Sequence, residues 1–223
     1  TDLPQKRDYG NWLHSLLLQY HEIVTQQQTP VHERAALLER LSEEVFENIL
    51  THEPAALPYL ARWRKQIPSY LEWANAHQEA GWTFAFGELQ RERVLSWDDG
   101  QIVLKGRLDR IDQHIDGEWM VLDYKTTDKG KLKRKLSERE DHQLSFYGLL
   151  LEQTASSAAY IAIDTDKPDT ITAQPYATWR DALEVQLKKD LKRIASGSAL
   201  PASGSGSTCD WCDARGLCRK GSW

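Results

Sequence analysis

The chain has 223 residues, 40% hydrophobic and 27% charged, with a net charge of -5 at pH 7 and a mean hydropathy of -0.61. At roughly 150 residues per domain this allows one large domain, or one with an appended subdomain; the composition excludes both general disorder and a membrane protein. The acidic balance excludes a histone-like coat on nucleic acid, so any DNA binding has to be confined to a local basic cleft. No run approaches the ~18 uncharged apolar residues of a membrane span, and no signal peptide is recognisable, so the expected location is cytoplasmic. The chain begins at Thr1, not at a methionine, and reads as a piece of something longer.

From Tyr9 to about Tyr20, Trp12, Leu13, Leu16, Leu17 and Tyr20 recur at three- and four-residue spacing and predict an amphipathic helix. A second helix is expected from about Pro30 to Leu50. A third follows Pro54, with Pro58 and Pro68 as starts, kinks or breaks. Residues 1–80 thus form a helical section. After Gly81 the pattern changes to three antiparallel strands, around 83–95, 101–115 and 118–124, separated by the Asp99-Gly100 and Asp116-Gly117 turns. A polar loop over 126–136 is expected next. It leads to a helix from Ser137, which has capping-box spacing with Glu140. A strand over 158–164, a partner over 171–176 and a helix from Trp179 to about Ala195 complete a unit at 81–196. The Gly/Ser-rich stretch after Ser196 predicts a flexible tether to a cysteine-bearing tail, within 197–223. The class is α/β, with a central mixed sheet flanked by helices.

In VLDYKTT, strand alternation points Asp123 and Lys125 to one face and Leu122 and Tyr124 to the other. Charges on an otherwise buried strand must pair or bind a metal. Taken alone, the pair reads as a structural ion pair. The preceding GRLDRID segment places Asp109 fourteen residues before Asp123 across the Asp116-Gly117 turn, so a hairpin can bring two carboxylates together; Asp112 is the alternative acid. Two acids and a backbone carbonyl are hard oxygen ligands suited to Mg²⁺ or Mn²⁺. A lysine beside them can stabilise charge on an attacked phosphate.

Together, GRLDRID, VLDYKTT and DHQLSFYGLLL resemble the RecB/AddB-like branch of the PD-(D/E)XK nuclease superfamily. The resemblance implies a restriction-endonuclease-like core acting as a metal-dependent DNA nuclease. It assigns metal binding to Asp109, Asp123 and the Tyr124 carbonyl, and the catalytic lysine to Lys125. Gln143 and Tyr147 match the Q-x-x-x-Y signature on the following helix. Gly10 and His14 match a G-x-x-x-H pattern whose histidine is a further metal ligand. The glutamate that precedes the sheet in this branch matches Glu88, with Glu92 as competitor. The implied setting is bacterial recombinational repair, alongside a helicase or helicase-like subunit or a missing N-terminal region. Whether the action is exonucleolytic or endonucleolytic stays open.

Lys129, Lys131, Lys133, Arg134 and Lys135 form a basic run that is either a solvated loop or a contact to the DNA backbone, with Arg107 and Arg110 as further candidates. The nine tryptophans include possible stacking surfaces, although most should be packing residues. Cys209, Cys212 and Cys218, spaced C-x₂-C-x₅-C, form a poor disulfide framework but can share a metal or cluster. In AddB-type relatives such a trio and an upstream cysteine hold a [4Fe-4S] cluster. The fourth cysteine is absent from this sequence, and its expected place precedes Thr1. Without a P-loop motif, this chain should not hydrolyse ATP. Two other classes remain: a catalytically silent nuclease-like DNA-binding or assembly module, and a protein whose metal is purely structural.

Overall fold

The structure is a computed structural model that describes residues 3–138, 141–151 and 155–199, and in the C-terminal segment 202, 204, 209, 212–214, 217 and 218. Three long helices come first: α1 Lys6–Gln27, α2 Arg34–His52 and α3 Leu57–Glu79. In α1 the Asp8 carboxylate accepts the Gln5 backbone N–H at 2.8 Å, satisfying a donor that the first turn leaves free. The helix ends where Gln28 turns left-handed. Pro58 sits in the first turn of α3, where its missing N–H costs nothing, whereas Pro68 is carried inside the helix. Of the tryptophans, Trp63 lies fully buried among these helices.

Strands β1 Trp82–Trp97, β2 Gly100–His114, β3 Trp119–Lys125, β4 Ser157–Ala162 and β5 Asp169–Thr172 form one sheet in that order. Every neighbouring pair is antiparallel except β3 and β4, which run parallel. The β1–β2 hairpin is longer than the rest of the sheet, because β3 pairs only with positions 110–113 of β2. Its outer part therefore projects beyond β3 and packs on the closing helices. Those that meet it are α5 Gln143–Leu150 and α6 Tyr176–Ala195, while α4 Lys129–Ser137 packs by β5. One core joins Leu13, Leu16, Leu17, Trp63 and Tyr70 of the first three helices to Leu122, Tyr124 and Ile161 on one sheet face. A second joins Val121 and Tyr160 on the opposite face to Leu132, Leu144 and Leu149. No helix among the described residues is long and apolar enough to cross a membrane.

Three sequence expectations need correction. Residues 129–137 are helical, not a loop: Asp128 caps the helix by accepting the Lys131 N–H at 3.1 Å, and Leu132 and Leu136, one turn apart, are both buried. Ser137 accordingly ends that helix instead of opening the next, its hydroxyl donating to the Arg134 carbonyl, while the supposed capping partner Glu140 lies outside the described residues. The helix expected from Ser137 begins at Gln143. The last strand spans 169–172, and Tyr176 already belongs to α6. Much of the Gly/Ser-rich tether also falls outside the described residues.

Candidate active site

Glu88, Asp109 and Asp123 lie in a row across three adjacent strands. Gly87 opposite Arg110 and Leu89 opposite Leu108 bracket Glu88 against Asp109, and one step beyond the Arg110–Leu122 pair Asp109 stands beside Asp123. Glu88 holds this place with a left-handed backbone, φ 48°, unusual for a non-glycine residue inside a strand. Such strain persists only where surrounding structure imposes it, and it concentrates at functional sites. Glu92, four residues along, pairs instead with Lys105 at 2.7 Å on the exposed ribbon.

Helix α1 brings His14 over the row. Its Nε2 is 3.1 Å from the Tyr124 carbonyl, and its Nδ1 is 3.4 Å from Asp109 Oδ2 and 4.0 Å from Glu88 Oε1. Burial lowers the His14 pKa, the nearby Asp123 and Glu88 carboxylates notwithstanding. A neutral imidazole has one N–H. With Nε2–H donating to the Tyr124 carbonyl, the Nδ1 lone pair faces Asp109 Oδ2, an arrangement that a proton on the carboxylate or a cation would bridge. Among the described residues, His14, Glu88 and Asp109 are the group of three side chains whose ligand atoms lie within 4.8 Å of one another.

Asp123 is 1% exposed. Lys125 Nζ is 2.7 Å from its Oδ2, a close ion pair on the same strand face. Gln143, at the start of α5, ties the group together. It donates from Nε2 to Asp123 Oδ1 at 2.9 Å and to the Tyr147 hydroxyl at 2.8 Å, and its Oε1 accepts from Lys125 Nζ at 2.8 Å. Asp109 accepts the Tyr124 N–H at 3.2 Å. Arg107 Nε lies 2.8 Å from Glu88 Oε2.

The charges do not balance. Lys125 offsets Asp123 and Arg107 offsets Glu88, which leaves Asp109 facing a neutral histidine. Burial raises the pKa values of both Asp109 and Asp123; their proximity to other carboxylates adds to this and Lys125 opposes it. Hard oxygens from neighbouring carboxylates, an imidazole and three acids set against two cations fit a divalent cation such as Mg²⁺ or Mn²⁺. A pH dependence follows. Because the folded pKa values are raised, the carboxylates' stabilising contribution is complete below the unfolded value and is lost as pH rises through the folded values. A cation that replaces those protons should stabilise more as pH rises. The thermal shift on replacing EDTA by Mn²⁺ is expected to be larger at pH 8 than at pH 5.5, and shifts of equal size at the two pH values would contradict a cation site on these acids.

Other sequence candidates fall elsewhere. Asp112 is fully buried and bound to Arg110 and His77, and so does not join the row. Arg110 is 3% exposed and turned inward, which corrects its expected contact with DNA: its guanidinium is consumed by Asp112, His21 and the Tyr124 hydroxyl. The basic run is on helix α4. There Lys129 and Lys133 lie near Asp169, Lys135 lies 3.8 Å from Asp141, and Lys131 and Arg134 are exposed. Cys209, Cys212 and Cys218 are free thiols, and among the described residues they do not converge to ligand distance. Two supporting residues were not anticipated. Asp141 accepts the Gln143 N–H at 2.9 Å, fixing the start of α5, and the Tyr160 ring centroid lies 5.2 Å from Lys125 Nζ. An aspartate two residues before a helix start was a readable capping signal; the approach of Tyr160 depends on the β3–β4 pairing and was not.

A family model described as the PD-(D/E)XK nuclease superfamily matches residues 1–219. Among solved structures the chain is similar to "Crystal structure of SSO0001", with 15% identity and a TM-score of 0.41 over 93% of this chain and 84% of that one. No curated protein matches it.

Proposed function

Since this chain belongs to the PD-(D/E)XK nuclease superfamily, we propose that it is a divalent-metal-dependent deoxyribonuclease of the RecB/AddB-like branch. The carrying observation is the row of Glu88, Asp109 and Asp123 with His14 above it and Lys125 beside it, one negative charge in excess. His14, Asp109, Asp123 and the Tyr124 carbonyl would hold the ion, with Glu88 as a further acid. When bound, the ion would polarise a phosphoryl oxygen and lower the pKa of a water. Lys125, positioned by Gln143, would direct its ammonium at the attacking water or at charge developing on the phosphate. Tyr147 would hold Gln143 in the rotamer that reaches both Asp123 and Lys125. Arg107, with Lys131, Lys133, Arg134 and Lys135 on the solvent side of α4 and Lys129 at its start, would engage the backbone of DNA. Recombinational repair beside a helicase-type partner is the setting proposed for this activity. A [4Fe-4S] cluster on the cysteine trio would require a fourth ligand from a longer chain.

The test is incubation of end-labelled single- and double-stranded DNA with the protein in Mg²⁺, Mn²⁺ or EDTA. Cutting in either metal that EDTA abolishes is expected. Saturable DNA binding without cutting in any metal would favour the silent binding module instead.

A further inference from the structure

We infer that the cavity between α1, the start of α2, the end of α3 and strand β1 is a binding site for a phosphomonoester carried on an aromatic base, that is, a nucleoside monophosphate. This inference does not rest on the nuclease reading. The cavity measures about 390 Å³, within the range of small-molecule sites. In a chain where acids outnumber lysine and arginine by 33 to 28, no carboxylate lines it, whereas Arg34 and Arg110 do.

Arg110 has its counter-charge in Asp112, but among the described residues Arg34 has no ion pair. It is 8% exposed and held only by neutral acceptors: the Thr29 carbonyl on Nε at 3.1 Å, and Asn75 Oδ1 and Gln78 Oε1 on Nη1 at 2.8 and 2.7 Å. These bonds fix the guanidinium plane. Among the described residues Nη2 makes no hydrogen bond, and it is not a fully enclosed atom. A desolvated cation without an anionic partner is costly, and a planar guanidinium with a free edge suits a phosphate. The remaining wall carries Tyr20, Trp82 and Phe84, with one face of Phe84 stacked on His21, the Arg110 guanidinium over its ring, and Trp82 stacked on His77. Phe84 reaches it beside a β-bulge, the break in register between Phe84 and Phe86, a device that re-aims a side chain. An anion hole next to an aromatic wall matches a phosphate joined to a base. His21, which lines the cavity, is two turns along α1 from His14, roughly 10 Å away at 1.5 Å per residue, so the site is distinct from the carboxylate row.

The experiment uses the full chain in EDTA, so that no divalent ion at the carboxylate row can draw the phosphate there. Calorimetry and thermal shift would be run with deoxyadenosine monophosphate, deoxyadenosine and inorganic phosphate. The monophosphate is expected to bind saturably, and deoxyadenosine at least about tenfold more weakly, the loss of a charge-assisted contact. Inorganic phosphate alone, without the aromatic contact, should bind more weakly than the monophosphate. Truncating Arg34 would cut ties that join α2 to α3, so the discriminating variant is Thr25→Trp at the exposed rim. It should leave the ligand-free melting temperature unchanged and lower affinity at least tenfold. Absence of saturable binding, equal affinity for nucleoside and nucleotide, or full binding by Thr25→Trp would each overturn the inference. The ligand's source is read from 5′-phosphorylated and 5′-hydroxyl oligonucleotides. A preference for the phosphorylated strand that Thr25→Trp erases identifies a strand end, and no preference identifies free nucleotide.

Discussion

Lys125→Ala is expected to slow DNA cleavage by about 10²–10⁴-fold, the range for a positioned proton-transfer group, with the fold retained. The ammonium is partly exposed and held at 2.8 Å by Gln143 and at 2.7 Å by Asp123, so it is both aimed and accessible to a substrate. Its removal also leaves Asp123 without its nearest positive charge, which raises an already elevated pKa and so increases proton competition with the ion. The two effects separate in single-turnover rates measured against Mn²⁺ concentration. A deficit that persists at saturating metal is the expected result and assigns Lys125 to the reacting phosphate. Complete recovery at high Mn²⁺ would reduce Lys125 to a support for the ion site.

Asp112→Ala should have the largest effect on stability, a loss of about 3–5 kcal/mol. For a chain of this size that is about 6–20 °C in Tm. Asp112 receives Arg110 Nε and Nη2 at 2.7 Å each and His77 Nε2 at 2.8 Å, all within the protein interior. Burial opposes its ionisation, but Arg110 and His77 outweigh that and hold the carboxyl well below its usual range. A depressed carboxylate stabilises above its unfolded pKa and loses that contribution only as pH falls through the folded value. The cost of the substitution should therefore stay constant between pH 5 and 8. What remains after truncation is a buried guanidinium facing the neutral Nε2 of His21 and the Tyr124 hydroxyl. The pair Arg110→Met with Asp112→Leu removes both charges and should cost much less than the single change. A double variant as unstable as Asp112→Ala would show that packing volume, not the stranded charge, sets the loss. Because Arg110 also holds the Tyr124 side chain, the single variant should disturb the backbone that presents the Tyr124 carbonyl and N–H to the site.

Apolar spacing in the sequence specified the three leading helices, the hairpin-linked strands and the last helix, because burial of one stripe or one face imposes periods of 3.6 and 2. The same alternation put Asp123 and Lys125 on one face, and the one-turn spacing of Gln143 and Tyr147 put them on one side of α5. Helix α4 was hidden by its lysines: only Leu132 and Leu136 are buried, and two apolar positions in nine residues carry too weak a period to read. Choosing among the acids required the tertiary structure. Asp109 and Asp112 are three apart and so point to opposite faces, and local pattern does not say which face meets α1. Glu88 and Glu92 share a face by alternation, yet they stand about 13 Å apart along the strand, and the short overlap of β3 with β2 leaves Glu92 on the projecting ribbon. The acid-free cavity around Arg34 was equally illegible, since its walls come from segments up to ninety residues apart. Periodicity reports which residues are withdrawn from water, but which charges face one another there is set by strand register and helix docking, which are long-range choices.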